Sequence, residues 1–231
     1  DVRGGTPARA RPRGAVNLKG AKAERFGALA SRLYRRWAEP MLEPLYRRVA
    51  AEVLISHGRM LDVGCGPGRL AHLVATSRPA LSVVGVDASQ SMIGQALKES
   101  SPANLAFRNA AVESMRWDEP FDLALSLLSF HHWEEPAAGL EAVYRALAPG
   151  GRFWIYEPNS EASDEDIRRD HAPLWGWLRL PGGLHRRMAK KHGFSLAEID
   201  RMVRPAVAQT SFRECAPERR GSTIRIELVR R

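Results

Sequence analysis

The stretch Met60–Leu70, MLDVGCGPGRL, constrains this 231-residue chain more than any other part of it. A short apolar run carries an acid at Asp62 and empties into Gly64, Gly66 and Gly68. A buried parallel strand looks like this where it ends in a tight turn and a helix begins, and such a turn offers backbone N–H groups to a nucleotide-like ligand.

The rest of the chain is organised around that turn. Residues 1–20 read as a disordered basic tail. Phe26, Leu29, Ala30, Leu33, Tyr34 and Trp37 then recur at helical spacing with Arg25, Arg32, Arg35 and Arg36 elsewhere on the wheel, which predicts an amphipathic helix. Pro40 and Pro44 punctuate it, and a second helix with Leu45, Tyr46, Val49 and Val53 leads to the glycine turn. Tyr34 and Trp37 suit either helix packing or a lid over a substrate pocket, and a basic amphipathic lid also allows peripheral membrane contact.

Beyond the turn, Arg69–Thr76 reads as a helix and Leu81–Val86 as a second strand that ends at Asp87. Ser89 caps the next helix, with Met92 and Ile93 facing inward. Asn104–Arg108 is a third strand, and Phe121–Leu128 a fourth, apolar enough to be buried on both faces. SFHHW (Ser129–Trp133) follows, then a helix over Glu134–Leu147, a turn in LAPGG (147–151) and a fifth strand over Arg152–Glu157. This alternation predicts a parallel, doubly wound α/β sheet. Residues 158–185 break the rhythm with acidic Glu161–Asp166 and a segment bearing Trp175 and Trp177, an insertion or second lid. Ser195 and Glu198 form a capping box for a helix to about Val203. Thr210–Cys215 and Ser222–Val229 read as two strands around a Pro/Arg/Gly turn, an antiparallel hairpin that completes the sheet.

Charge and cysteine content limit the function classes. The formal charge is +9, but residues 1–25 hold seven Lys/Arg against Asp1 and Glu24. The basic excess thus sits mainly in the tail and supports only non-specific attraction to polyanions. No window reaches the roughly 18 uninterrupted apolar residues of a membrane span, and no signal peptide is visible. Cys65 and Cys215 are too few for a disulfide framework and lack a metal-ligand neighbourhood. His171, His185 and His192 are scattered and read as surface or pocket-rim residues rather than a metal site. A reducing, cytoplasmic setting is expected.

A glycine turn alone is shared by enzymes of NAD, FAD and S-adenosylmethionine. Here DVGCGPG, with Pro67 inside it, departs from the GxGxxG spacing, and Asp87 lies 23 residues beyond Gly64. With FDLALS on the fourth strand and LAPGGRFWIYEP on the fifth, Met60–Pro158 resembles the class I S-adenosylmethionine-dependent methyltransferases. Within them it looks most like the type 11 branch that includes the ubiquinone and menaquinone C-methyltransferases. The resemblance implies a Rossmann-like, doubly wound, seven-stranded sheet, mostly parallel with an antiparallel C-terminal hairpin and helices on both faces. It divides the chain into a tail (1–20), a helical lid (21–56), a cofactor-binding core (57–158), an insertion with helices as substrate lid (159–205) and the hairpin (206–231).

The same resemblance implies the site. Asp62 would face the methionine amino group of S-adenosylmethionine, and Gly64, Cys65, Gly66 and Gly68 would let the backbone approach it. Asp87 would accept both ribose hydroxyls, Ala88 and Met92 would line the adenine pocket with Ala111 and Val112, and Ser126 and Leu127 would frame the sulfonium. Where the family commonly reads GDAE, with an acid accepting from the adenine amino group, this chain has Ala110, Ala111, Val112 and Glu113. The missing hydrogen bond is worth on the order of 1 kcal/mol, about a factor of five in affinity.

Methyl transfer needs in-line positioning, a dry site and, for a protonated nucleophile, a base. His131 and His132 are the candidate bases. Tyr34, Trp37, His131, Glu157 and Trp175 are the candidate substrate contacts. SLLS (126–129) replaces the NPPY-like segment of enzymes that methylate exocyclic amines of nucleic acids, and no cysteine stands near the fourth strand. The expected acceptor is therefore a small aromatic or lipid-like molecule. An RNA or protein methyltransferase guided by the tail, and a cofactor-binding protein with altered chemistry, are the alternatives.

Overall fold

A computed structural model describes residues 39–99, 101–171, 193–212 and 216–231. Its strands are β1 (Gly58–Val63), β2 (Leu81–Asp87), β3 (Leu105–Asn109), β4 (Phe121–Leu127), β5 (Leu147–Pro158), β6 (Ala216–Arg220) and β7 (Thr223–Val229). They form one sheet in the order β3-β2-β1-β4-β5-β7-β6. The pairs from β3 to β5 are parallel, whereas β7 runs antiparallel to both β5 and β6. The order reverses between β1 and β4, and in doubly wound sheets a ligand crevice opens at such a reversal.

Helices α1 (Glu39–Glu52), α2 (Arg69–Ser77), α3 (Gln90–Ala96), α4 (Pro136–Ala146), α5 (Asp164–Asp170) and α6 (Leu196–Val207) accompany the sheet. Alternate strand residues feed two apolar layers. Leu61, Val84, Ala124 and Ile155 join α4 and α6, while Met60, Val83, Leu125 and Tyr156 join α1 and α2. That double burial is why these strands read as nearly continuous apolar runs.

Several boundaries differ from the expected ones. α1 runs through both prolines. Pro40 lies in the first turn, where an N–H has no helical partner, and Pro44 forfeits one bond. Burial of Leu45, Tyr46 and Val49 holds the helix across it. β4 stops at Leu127 because Leu128 turns to φ 55°. α4 begins later than expected, with Pro136 in its first turn. LAPGG is taken into β5 but bulges out of the ladder, since pairing skips from Phe121 with Leu147 to Leu123 with Arg152.

The first hairpin strand is Ala216–Arg220 rather than Thr210–Cys215. Pro217 and the arginines that read as a turn sit on an edge strand, where proline is tolerated, and the reversal is at Gly221 and Ser222. α6 outruns its expected end at Val203 and places Ile199, Val203, Ala206 and Val207 in the core with β7 residues Ile224 and Ile226. Residues 196–207 therefore build the central layer, although the sequence reading groups them with a lid. The expectations for the tail, for the helix bearing Tyr34 and Trp37, and for Trp175 lie outside the described residues, as does Cys215. No described helix is long and apolar enough to cross a membrane.

Candidate active site

At the carboxyl ends of β1, β2 and β4 the chain encloses a cavity of about 740 Å³. Its floor is the glycine turn. Gly64 N and Cys65 N both donate to Val86 O (2.8 and 3.0 Å), and Gly66 N donates to Asp87 Oδ2 (2.9 Å), so the turn is clamped to the end of β2. The glycines have different duties. A Cβ on Gly66, at φ 54°, would meet nothing within 4 Å, which leaves the backbone open to the cavity. A Cβ on Gly68, at φ 86°, would strike the Phe107 ring at 2.5 Å, and Gly68 is not on the cavity wall. Its smallness serves helix–sheet packing rather than ligand approach, in contrast to the sequence reading.

Asp62 is 2% exposed and lines the cavity, and its Oδ2 has no hydrogen-bond partner among the described residues. Burial, reinforced by the negative charge of Asp87, pushes its carboxyl up to about 7, against the pull of the Ala71 N–H. A buried acceptor without a donor is a costly group that a cationic ligand atom would satisfy. Asp87 binds the N–H groups of Ser89 (2.8 Å) and Gly66 through separate oxygens. Burial raises its carboxyl despite those two bonds. Each oxygen retains a lone pair for a further donor.

Ala88, Met92, Ala111 and Val112 form one apolar flank. Ala111 caps a 3₁₀ turn over Val112–Ser114 and leaves its cavity position without a carboxylate, but Glu113 lines the same wall.

The facing wall starts at Leu127. Ser126, expected beside it, is fully buried and off the cavity. Successive strand residues point to opposite faces, so only one of the pair can reach the site. Leu128 holds a left-handed backbone, unusual for a residue with a branched side chain, a strain on the order of 1–2 kcal/mol. Its N–H bonds Tyr156 O at 2.8 Å. Ser129 follows, packed where a Cβ on Gly64 would come within 1.8 Å of its hydroxyl.

A second 3₁₀ turn, Phe130–His132, carries both histidines. His132 lines the cavity and His131 does not. His131 Nδ1 lies 2.5 Å from Oε2 of Glu157, whose side chain is fully buried at the end of β5. That bond holds His131 above the ordinary imidazole value against the opposing effect of burial. Burial and the neighbouring His131 hold His132 below it. Glu157, expected to touch substrate, is also off the cavity.

Cys65 lines the cavity as a free thiol, raised well above its usual range by burial and by Asp62 and Asp87. Tyr46 of α1, Leu70, Trp133, Glu134 and Glu135 line the site without having been singled out for it. Trp133 sits in the SFHHW motif and was within reach of sequence reasoning. Tyr46 lacked any signal beyond helix packing. Tyr34, Trp37 and Trp175 lie outside the described residues. Among the described residues no three His, Cys, Asp or Glu side chains are grouped to hold a metal ion.

Comparison with known proteins bears on this geometry. Residues 61–155 match the family model described as "Methyltransferase domain". Trans-aconitate 2-methyltransferase of Methylobacterium nodulans is 29% identical over 138 residues, 59% of this chain and 53% of that protein. Ubiquinone biosynthesis O-methyltransferase of Pseudomonas entomophila is 27% identical over 150 residues, 60% of this chain and 63% of that protein. The chain thus spans between half and two-thirds of the length of these curated relatives. The plantazolicin methyltransferase BpumL, solved with a monoazolic desmethylPZN analog and SAH, superposes with a TM-score of 0.58 at 13% identity, covering 92% of this chain and 98% of that one, which shows a common fold. Asp62, the glycine turn, Asp87 and the end of β4 all fall inside the segment, residues 61–155, that is similar to this family model.

Proposed function

We propose that this chain is an S-adenosylmethionine-dependent methyltransferase acting on a small, apolar acceptor whose nucleophilic atom carries a removable proton. The carrying observation is Asp62: a buried carboxylate oxygen without a donor among the described residues, on the wall of a cavity, beside a turn whose Gly66 is open to it.

The residues fit that cofactor. Asp62 would take the methionine ammonium, Gly66 and Cys65 would pass close to the methionine and ribose, and Asp87 would accept from the ribose hydroxyls. Ala88, Met92, Ala111 and Val112 would flank the adenine, and Leu127 would border the sulfonium. When bound, S-adenosylmethionine supplies a methyl group already activated by positive sulfur. The protein's tasks are then to orient, to exclude water and to accept a proton. Leu127, Leu128 and Trp133 provide an apolar boundary, and His132 is the base on the cavity wall.

The curated relatives named above act on small molecules by their names, which favours a small acceptor here. A free thiol at Cys65 suits a reducing compartment, hence the cytoplasm. Incubation with methyl-labelled cofactor and a fractionated small-molecule extract tests the reading. A labelled low-molecular-weight product is expected, and label confined to RNA or protein would overturn the acceptor class. Failure of calorimetry to detect binding of S-adenosylhomocysteine would overturn the cofactor.

A further inference from the structure

The two adjacent histidines are equivalent by sequence and unequal in the structure. Among the described residues the Glu157 carboxylate bonds His131, through Nδ1 at 2.5 Å and through the His131 backbone N–H at 3.4 Å. The rings of His131 and His132 lie 3.9 Å apart between centroids, tilted by 48°, and the Phe194 ring lies 5.8 Å from that of His131. Only His132 reaches the cavity. Two imidazoles this close do not readily hold two protons, so whichever is charged first leaves the other neutral.

We propose that Glu157 is a positioning residue: by binding His131 it assigns the first proton of the pair to the ring behind the wall and leaves His132, the ring on the wall, free to accept the acceptor's proton. This rests on the function proposed above. As the acceptor's nucleophilic atom gains the methyl carbon and the carbon–sulfur bond breaks, the proton that atom sheds passes to His132. The charged His131 beside it resists a second proton, so His132 returns it readily to solvent. The groups that set the balance are Glu157 on β5, the two histidines themselves, and Glu134 and Glu135, which share the cavity wall with His132.

The neutral state of His132 thus depends on a carboxylate that touches neither cofactor nor acceptor. Glu157→Gln keeps the size and a hydrogen-bonding oxygen but removes the charge. The variant loses the direct attraction of Glu157 for a charged His132 but also the larger repulsion from a charged His131, so the more exposed His132 competes for the first proton and its titration moves up.

Histidine-resolved NMR titration of the full chain, wild type against Glu157→Gln and His131→Asn, tests this without any acceptor. In the wild type His131 is expected to protonate first. In both variants the His132 titration is expected to rise by about one pH unit, with the acid limb of the methyl-transfer profile shifting equally and roughly tenfold lower activity at a pH one unit below that limb. Two variants guard against a folding defect in either one. Cofactor binding retained, with His132 titrating as in the wild type in both variants, would overturn this inference alone. A wild-type protein that binds no S-adenosylhomocysteine would overturn the preceding reading and the role of His132 with it.

Discussion

Asp62 sets stability against binding. Its carboxyl stands at about 7 in the folded chain against 3.8 in a model peptide. A group raised in this way favours the fold fully below its unfolded value, and that contribution is lost as pH rises through about 7. At pH 8 the free protein carries a penalty on the order of 4 kcal/mol from burying this charge. Asp62→Asn is therefore expected to raise the melting temperature by several degrees at pH 8 and to leave it nearly unchanged at pH 4, as thermal denaturation at both values would show. The same substitution is expected to weaken S-adenosylmethionine binding at least tenfold. In the wild type, affinity measured by calorimetry should increase as pH rises through about 7, because the ammonium prefers an ionised partner. Across the cavity, Ala111→Asp restores the acid that the family commonly carries and is expected to tighten binding about fivefold. No gain in calorimetry would mean that Glu113, on the same wall, already takes that hydrogen bond.

The elements hold the site through their ends. Arg69 opens α2 directly after the glycine turn and binds both carboxylate oxygens of Glu43 on α1 at 2.6 Å, which fastens the turn from outside while Val86 and Asp87 fasten it from within. α6 supports the opposite wall from behind, and its start is fixed by the reciprocal bonds of Ser195 and Glu198. Ser195→Ala removes the acceptor for the Glu198 N–H and is expected to lower stability by about 1 kcal/mol in urea denaturation, with an unchanged slope. This cap was legible in the sequence because it is local, as was the Ser89 cap of α3. The Glu43–Arg69 link was not, because its partners are 26 positions apart and belong to different elements.

Across the whole molecule, α1, α5 and the β6–β7 hairpin converge on Arg48. Its guanidinium reaches Asp170 at 3.0 Å, Glu52 at 2.6 Å, the Arg220 carbonyl at 3.0 Å and Thr223 Oγ1 at 3.1 Å. Burial alone would raise the Asp170 carboxyl, but the Ser222 N–H and Arg48 overrule it and hold it below the ordinary value. A lowered acid stabilises the fold above its unfolded value of 3.8, and that support fades as pH falls further. Arg48→Ala leaves the buried Asp170 charge only the Ser222 N–H at 2.8 Å and the half-exposed Arg169 at 3.4 Å and is expected to destabilise by about 3 kcal/mol at pH 7. The gap to wild type in urea denaturation should narrow toward pH 3.

The sheet was legible in the sequence because strands buried on both faces leave runs such as LSVVGV and FDLALSL. The hairpin was misplaced because Pro217 and its arginines carry a turn composition onto an edge strand. Ser126 was misassigned because spacing places a strand's end without giving the parity of its side chains. The His131–Glu157 pair joins the ends of two structures 26 positions apart, and nothing in either local stretch announces it.

The contact between Ser129 and Gly64 carries a consequence for redesign. The glycine belongs to the turn proposed to hold the cofactor and the serine to the wall where an acceptor would lie, yet a side-chain carbon on the first would overlap the hydroxyl of the second. Shuffling residues 129–135 to recruit new acceptors is thus not independent of the nucleotide side. Libraries that admit bulk at position 129 are expected to lose cofactor retention before they gain any new specificity, and those that keep it small leave the wall free to diversify.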